Sequence, residues 1–321
     1  MLVMDYEIII GGRRLGLLDS VTIRRSVETL GASAGIKLPA TCLNKTLNAE
    51  QFLHEGDFID ISLGYDNSLK TEFNGWLKSV KTDDNSITIE CEDDIYLWRV
   101  ELNDEQLHAI TLTALLQKIA LQVSAANANP FNVLCDYQFT YDKFTISHAT
   151  AIDVLKKVQE ETKANIYFDG TTLHIHPPYT HLAGNTVIYD FARNVQQSSL
   201  KYVTAKDKKI KVTIETTLPD GKIIKAETGM SGGQTITRRV SASAINDLKT
   251  IADSEFNMLC YDGYEGDLTG WLVPFCQPGD LVTVKDADYP TKTGTYYVIA
   301  TEVSFSSNGG QRKVTLGRRM A

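Results

Sequence analysis

The sequence predicts an α+β chain that is mostly β, with two related antiparallel β-barrel domains flanking a small α+β domain. Three observations carry this. Short alternating runs bounded by turn residues at intervals of about ten positions dominate both ends of the chain, as in small barrels and sandwiches. Helical periodicity is concentrated in the middle. A Gly-Asp strand entry occurs twice, at Gly56-Asp57 and at Gly279-Asp280. The predicted boundaries are a first barrel at 1–100, an α+β insert of two helices and a hairpin at 101–184, and a second barrel at 185–321 with a helix near 242–260.

The N-terminal elements read as strands. YEIII (6–10) precedes Gly11-Gly12, and SVTIRRSV (20–27) alternates. In GDFIDISLGY (56–65), Ile59, Ile61 and Leu63 alternate with Asp60 and Ser62, the pattern of a half-buried strand. GWLKSVKTDDNSITIEC (75–91) is a hairpin signal centred on Asp83-Asp84-Asn85-Ser86. In the middle, Leu112, Leu115, Leu116, Ile119, Ala120 and Val123 recur with the spacing of one buried helix face. A second helix starts after Thr150, with Asp153 as its capping-box partner and a stripe of Ala151, Val154, Leu155 and Val158. NIYFDGTTLHIH (165–176) is a hairpin turning at Asp169-Gly170. Strands return at KIKVTIETT (209–217) and KIIKAET (222–228), around Pro219-Asp220-Gly221. The helix near 242–260 is striped by Ile245, Leu248, Ala252, Phe256 and Leu259. GDLVTVK (279–285), GTYYVIATEVSFS (294–306) and RKVTLG (312–317) close the chain as strands.

The repeat extends beyond the two Gly-Asp entries. Each is followed by a glycine that opens a long strand, Gly75 in one case and Gly294 in the other, and then by a polar turn and a closing strand. The apolar runs at 6–10 and 209–217 read as long strand edges that need partners.

Composition bounds the function. The 321 residues suffice for about two domains. Hydrophobic residues are 43% and charged residues 22%, ordinary for a globular chain. A net charge of −8 argues against nucleic acid as the main partner, because phosphate binding calls for a basic stripe. The cysteines at 42, 91, 135, 260 and 276 are odd in number and never in C-x-x-C spacing, which points to a reduced chain without a disulfide framework or zinc module. The N-terminus lacks the basic segment of a signal peptide, and no window approaches a membrane-spanning length.

No catalytic constellation emerges. Gly229-Met230-Ser231-Gly232-Gly233 matches G-x-S-x-G, but an extended run follows it and no histidine occurs after His181, so a glycine-rich loop is the better reading. His174 and His176 share a strand face with His181 nearby. Without a neighbouring carboxylate or thiolate they read as outward polar residues rather than zinc ligands. YDGYEGD (261–267) lacks the calcium-loop ladder and reads as a turn after a helix. GGRRLG (11–16) lacks the Lys-Ser/Thr of a phosphate loop. Cys260 and Cys276 have no histidine near them in sequence. The expected catalytic, cofactor and metal residues are therefore none, and no cofactor is expected.

The order of parts resembles the phage tail baseplate hub family, the late-control protein D group and the related hub portion of type VI secretion spike proteins. The segments that carry it are 263–320, with its Pro-Gly-Asp strand entry, Gly-x-Tyr strand and final Leu-Gly; 111–120 with 150–178, similar to the family's two-helix module and hairpin; and 74–98, similar to the end of its first barrel. The resemblance implies a structural, non-enzymatic protein. It implies a homotrimer whose six barrels make a pseudo-six-fold ring joining the tail tube to the central spike in the virion baseplate, assembled in the host cytoplasm. The implied partners are the tail tube protein, the spike protein and other baseplate proteins. The competing expectations are a glycan- or peptidoglycan-active hydrolase, which needs only two carboxylates about 5–10 Å apart, and a carbohydrate-binding module.

Overall fold

The computed structural model describes residues 3–39, 52–82, 86–180, 182–218, 220–242 and 244–320. In chain order the strands are β1 (Met4–Ile10), β2 (Arg13–Arg14), β3 (Ser20–Ser26), β4 (Ser33–Pro39), β5 (Phe58–Tyr65), β6 (Ser68–Thr82), β7 (Ser86–Glu92), β8 (Glu105–Thr111), β9 (Asn132–Cys135), β10 (Thr140–Ile146), β11 (Asn165–Asp169), β12 (Thr172–His176), β13 (Thr186–Asp190), β14 (Val195–Ser198), β15 (Lys201–Val203), β16 (Ile210–Thr217), β17 (Ile223–Gly229), β18 (Gln234–Arg239), β19 (Gly263–Trp271), β20 (Leu281–Lys285), β21 (Gly294–Ser306) and β22 (Gly309–Arg319). The helices are α1 (Leu112–Asn127), α2 (Ala151–Thr162), α3 (Ala205–Lys208) and α4 (Ile245–Leu259). The chain is thus α+β and mostly β, as its sequence predicts.

The chain divides into two compact units. Unit 1 comprises Met1–Tyr96, Gly184–Leu200 and Gly266–Gly317; unit 2 comprises Leu97–Ala183, Lys201–Glu265 and Arg318–Ala321. This departs from the sequence reading, which gives 201–265 to a second barrel. Those residues build their own small sheet, β17-β16-β18, with α4 packed on β16 and β17. Tyr137 then fastens this part to the segment that follows residue 100. Its hydroxyl donates to the Thr162 carbonyl at 2.7 Å and reaches Ser254 Oγ at 3.3 Å.

Unit 1 is built on one sheet whose longest path runs β14-β19-β22-β21-β3-β4-β7-β6-β5-β1-β2. Two separate closed barrels were the expectation. Among the described residues the pairing does not close into a ring, because β21 of the C-terminal region continues into β3 of the N-terminal one. Alternation builds the core as expected: Ile59, Ile61 and Leu63 of β5 lie with Ile8, Ile10, Ile23, Ile36 and Phe73, and Val303 and Phe305 of β21 join the same cluster. Each fully buried aliphatic chain contributes about 1.5–3 kcal/mol over an exposed one. The β5–β6 hairpin turns on Asp66 and Asn67, both left-handed at φ 50° and 62°, the conformation a two-residue hairpin loop requires.

In unit 2, α1 buries Leu112, Leu115, Leu116, Ile119, Ala120 and Val123, the face the spacing predicts, and Thr111 caps it by accepting from Ala114 N. Thr150 and Asp153 form the predicted capping box on α2. The hairpin β11–β12 forms, but it turns at Gly170-Thr171 rather than Asp169-Gly170, which sets Ile166 opposite Ile175 and Phe168 opposite Leu173; β12 pairs with β9 on its other side. The face of α4 differs from its expected stripe. Ile245 is exposed, while Ser254 and Glu255 are buried beside Leu248, Ile251 and Ala252. Specific bonds make this tolerable: Arg238 Nε donates to both Glu255 oxygens, at 2.7 and 2.9 Å, and Ser254 donates back to the Thr250 carbonyl. The strand at 210–217 is not an open edge either, since β16 is central, paired with β17 and β18. The residues 261–267, expected as a turn, lead into and form part of β19.

Candidate functional site

The two Gly-Asp entries make the same turn. Gly56 and Gly279 take positive φ, 87° and 90°, where a side chain would be strained. Asp57 Oδ2 accepts from His54 N at 2.8 Å, and Asp280 Oδ2 accepts from Gln277 N at 2.8 Å. The ladder bonds match as well. Gly56 N donates to the Leu77 carbonyl and Leu77 N to the Asp57 carbonyl; Gly279 N donates to the Val298 carbonyl and Val298 N to the Asp280 carbonyl. Asp280 is 1% exposed, and burial raises its carboxyl above the usual carboxylate range against the pull of the Gln277 and Asn185 donors.

These bonds align Leu77 with Val298, and the strand order around them agrees. The N-terminal region runs β3-β4-β7-β6-β5-β1, and the C-terminal region runs β14-β19-β22-β21-β20-β13. With these six strands of each region lettered a to f in chain order, the short β2 and β15 left aside, both read b-c-f-e-d-a. One sign differs: β1 is antiparallel to β5, whereas β13 is parallel to β20. The other two repeat glycines do not correspond. Gly75 lies inside β6 opposite Ile59, the position Tyr296 takes opposite Val282, while Gly294 begins β21 opposite Val284. Gly75 has a local reason, since a Cβ there would lie 2.2 Å from the Glu92 carbonyl oxygen.

Between the two regions, β3 and β21 pair antiparallel from Ser20↔Ser306 to Ser26↔Ala300. A buried ion pair spans the same regions. Arg312 on β22 is 1% exposed and reaches Glu72 on β6 at 2.5 Å; its remaining donors go to the Leu272 and Cys276 carbonyls at 3.2 Å. Sequence reading missed this pair, because a charged residue within an alternating strand looks outward-facing. In the same unit, Asp93 accepts from Ala32 N at 2.7 Å and Ile95 N at 3.1 Å. Burial pushes its carboxyl up to about 7 despite those donors.

Asp93 makes stability pH-dependent with a definite sign. An unfolded aspartate titrates near 4, about three units lower. Between those values the folded chain holds one proton more than the unfolded chain, so this stabilisation is full at low pH and is lost as pH rises through about 7. Relative to Asp93→Asn, the wild type should lose stability from pH 5 to pH 8, with a slope of at most about 1.4 kcal/mol per pH unit. Urea midpoints of both proteins across that range are the measurement; a pH-independent difference would contradict it.

Of the sequence's candidates for chemistry, His174 and His176 lie side by side. Ser231 is exposed in the loop joining β17 to β18, two strands rather than a strand and a helix. His176 is not outward but 1% exposed, with Nδ1 2.7 Å from Asp136 Oδ1 and Nε2 3.1 Å from His174 Nδ1. His174 stacks on Tyr167 with centroids 5.0 Å apart. The carboxylate beside the histidines comes from the loop after β9, which their spacing could not reveal. His181, Cys42 and the turn at 83–85 lie outside the described residues. No group of three His, Cys, Asp or Glu side chains that could hold a metal ion occurs among the described residues. The acids of 261–267 disperse: Asp262 accepts from Ala205 N, Glu265 from Tyr261 and Lys208, and Asp267 from Thr315. Burial pushes the Cys91 thiol up to about 12 and the Cys276 thiol to about 11, the opposite of an activated nucleophile. No helix among the described residues is long and apolar enough to cross a membrane.

No family model matches the sequence, and no curated protein matches it. Solved structures do match. The 43 kDa tail protein of prophage MuSo2 from Shewanella oneidensis aligns over 98% of both chains with a TM-score of 0.69 at 16% identity. A tail protein from Neisseria meningitidis MC58 aligns over 98% of this chain and 97% of its own, with a TM-score of 0.70 at 14% identity. An E. coli protein described as a component of the type VI secretion system, with structural similarity to bacteriophage tail proteins, aligns over 98% of this chain and 79% of its own, at 0.58 and 10%. At these identities the likeness is one of fold, and by fold the chain stands with prophage tail proteins and their type VI secretion counterpart along nearly its whole length.

Proposed function

We propose that the chain is a structural protein of a phage-type tail, a baseplate hub that acts by assembly rather than turnover. Three copies place six similar β-regions around an axis, so that one face of the ring meets the six-fold tail tube and the other the three-fold central spike. The protein then resides in the virion baseplate after assembly in the host cytoplasm. The observation that carries this reading is the repeated b-c-f-e-d-a strand order with its shared Gly-Asp turn. One chain thereby presents two nearly equivalent modules, as a conversion from three-fold to six-fold symmetry requires. Cyclic heterologous contacts of this kind close after a fixed number of copies. Light scattering on the purified chain, with and without a spike protein, should give a trimer in at least one condition. A monomer or dimer in both, well above micromolar concentration, would overturn the hub. A peptidoglycan-release assay on the same preparation should read background; release above background would favour the hydrolase.

A further inference from the structure

We infer that β14 of one copy adds, antiparallel, to the free edge of β6 in the next copy, an inference that rests on the hub reading. The chain contains the template for this joint. β20 stays on β21 only as far as Val298, and beyond it the same edge of β21 takes up β3: Val27 N donates to the Ile299 carbonyl at 3.0 Å, and pairing continues from Ala300↔Ser26 to Ser306↔Ser20. In lettered terms, strand e of the C-terminal region receives strand b of the N-terminal region.

The reciprocal joint, e of the N-terminal region with b of the C-terminal region, is not made within the chain. Strand e there is β6. Its contact with β5 and the Gly-Asp turn ends at Leu77, the counterpart of Val298. From Ser79 onward β6 pairs with β7 on one side, and among the described residues no strand pairs with Ser79–Lys81 on the other. Strand b is β14, which pairs with β19 on one side and ends the strand path on the other. Gln196, Gln197 and Ser198 are exposed there.

Two edges that no strand among the described residues covers, one on β6 and one on β14, match a joint the chain already makes and identify the occupant as a second copy. Exposed ladder groups are a ready template for such pairing. The contact is head-to-tail, so repetition closes a ring in which in-chain and between-chain joints alternate. At four residues against the seven of β3, β14 makes the shorter joint, and the ring should come apart there first on dilution.

Chains carrying Lys81→Cys with Gln196→Cys, and Lys81→Cys with Gln197→Cys, test this with a short bismaleimide that tolerates a residue of offset in register. Far-ultraviolet circular dichroism confirms folding, and light scattering reports the assembly before cross-linking. Covalent dimers and trimers from at least one double variant, and from none of the single variants or the unaltered chain, are expected. A trimer that cross-links in neither double variant overturns the strand assignment and leaves the hub standing. Absence of any trimer in the unaltered chain, with or without the spike, overturns both.

Discussion

Replacing Glu72 with alanine is expected to cost unit 1 about 3–5 kcal/mol, because it leaves a buried cation without its counter-charge. Arg312 and Glu72 are 1% and 3% exposed, so neither charge is appreciably screened by water. The guanidinium reaches the carboxylate at 2.5 Å and lies 4.9 Å from the Phe275 ring centroid. After the substitution its remaining acceptors are the neutral carbonyls of Leu272 and Cys276. The double variant Glu72→Ala with Arg312→Met should recover part of the loss, since removing both charges ends the desolvation penalty. Recovery should be incomplete, because the two carbonyls lose their donor, at about 1–3 kcal/mol for each left unsatisfied. Urea midpoints give the order wild type, double variant, single variant. A single variant within 1 kcal/mol of wild type would show that the pair contributes little. The pair spans β6 and β22, one from each β-region. If the hub reading holds, the single variant should also trimerise less completely than the double one at equal concentration.

The sequence was most legible where one periodicity governs a whole element. The faces of α1 and α2 follow from apolar spacing alone, and Thr150 with Asp153 marks a helix start by chemistry local to four residues. The Gly-Asp turns were legible for the same reason: the positive φ needs glycine, and the aspartate bonds three residues back. Elements shaped by distant backbone were not. β19 carries Gly263, Gly266 and Gly270, which read as turn signals. Yet a Cβ at Gly266 would lie 2.6 Å from the Ser199 carbonyl oxygen, and one at Gly270 would lie 2.5 Å from that of Asn194. Those two glycines admit a neighbouring chain rather than a bend. The pairing of Gly75 with Gly294 failed differently. The β5–β6 hairpin turns in two residues and carries a bulge at Ile61/Ser62, whereas β20 and β21 are joined by a longer loop, so glycine counted forward from each turn lands out of step. The division into units was hidden for a third reason. Residues 201–265 are β-rich in pattern like their flanks, and only contacts such as Tyr137 to Ser254 reveal which core they complete.

Trp98 anchors unit 2, and its truncation should be the largest single loss there. The ring is fully buried and meets Phe131 and Phe168 edge-on, with centroids 5.7 and 5.4 Å away. Trp98→Ala should cost about 3–5 kcal/mol, the range for emptying an aromatic site in a core that relaxes only in part. Trp98→Phe should cost much less, for two reasons. Phenylalanine keeps an aromatic ring against both partners. It also deletes the indole N–H, which finds no acceptor among the described residues; an unsatisfied buried donor carries a penalty of about 1–3 kcal/mol. Helices α1–α4 all belong to unit 2, so the circular dichroism signal they give follows it, while Trp76 and Trp271 remain as fluorophores in unit 1. The urea midpoint of the helical signal should fall in the order wild type, Trp98→Phe, Trp98→Ala. Equal losses in the two variants would mean that ring volume is not what holds this core, and that the indole nitrogen has an acceptor after all.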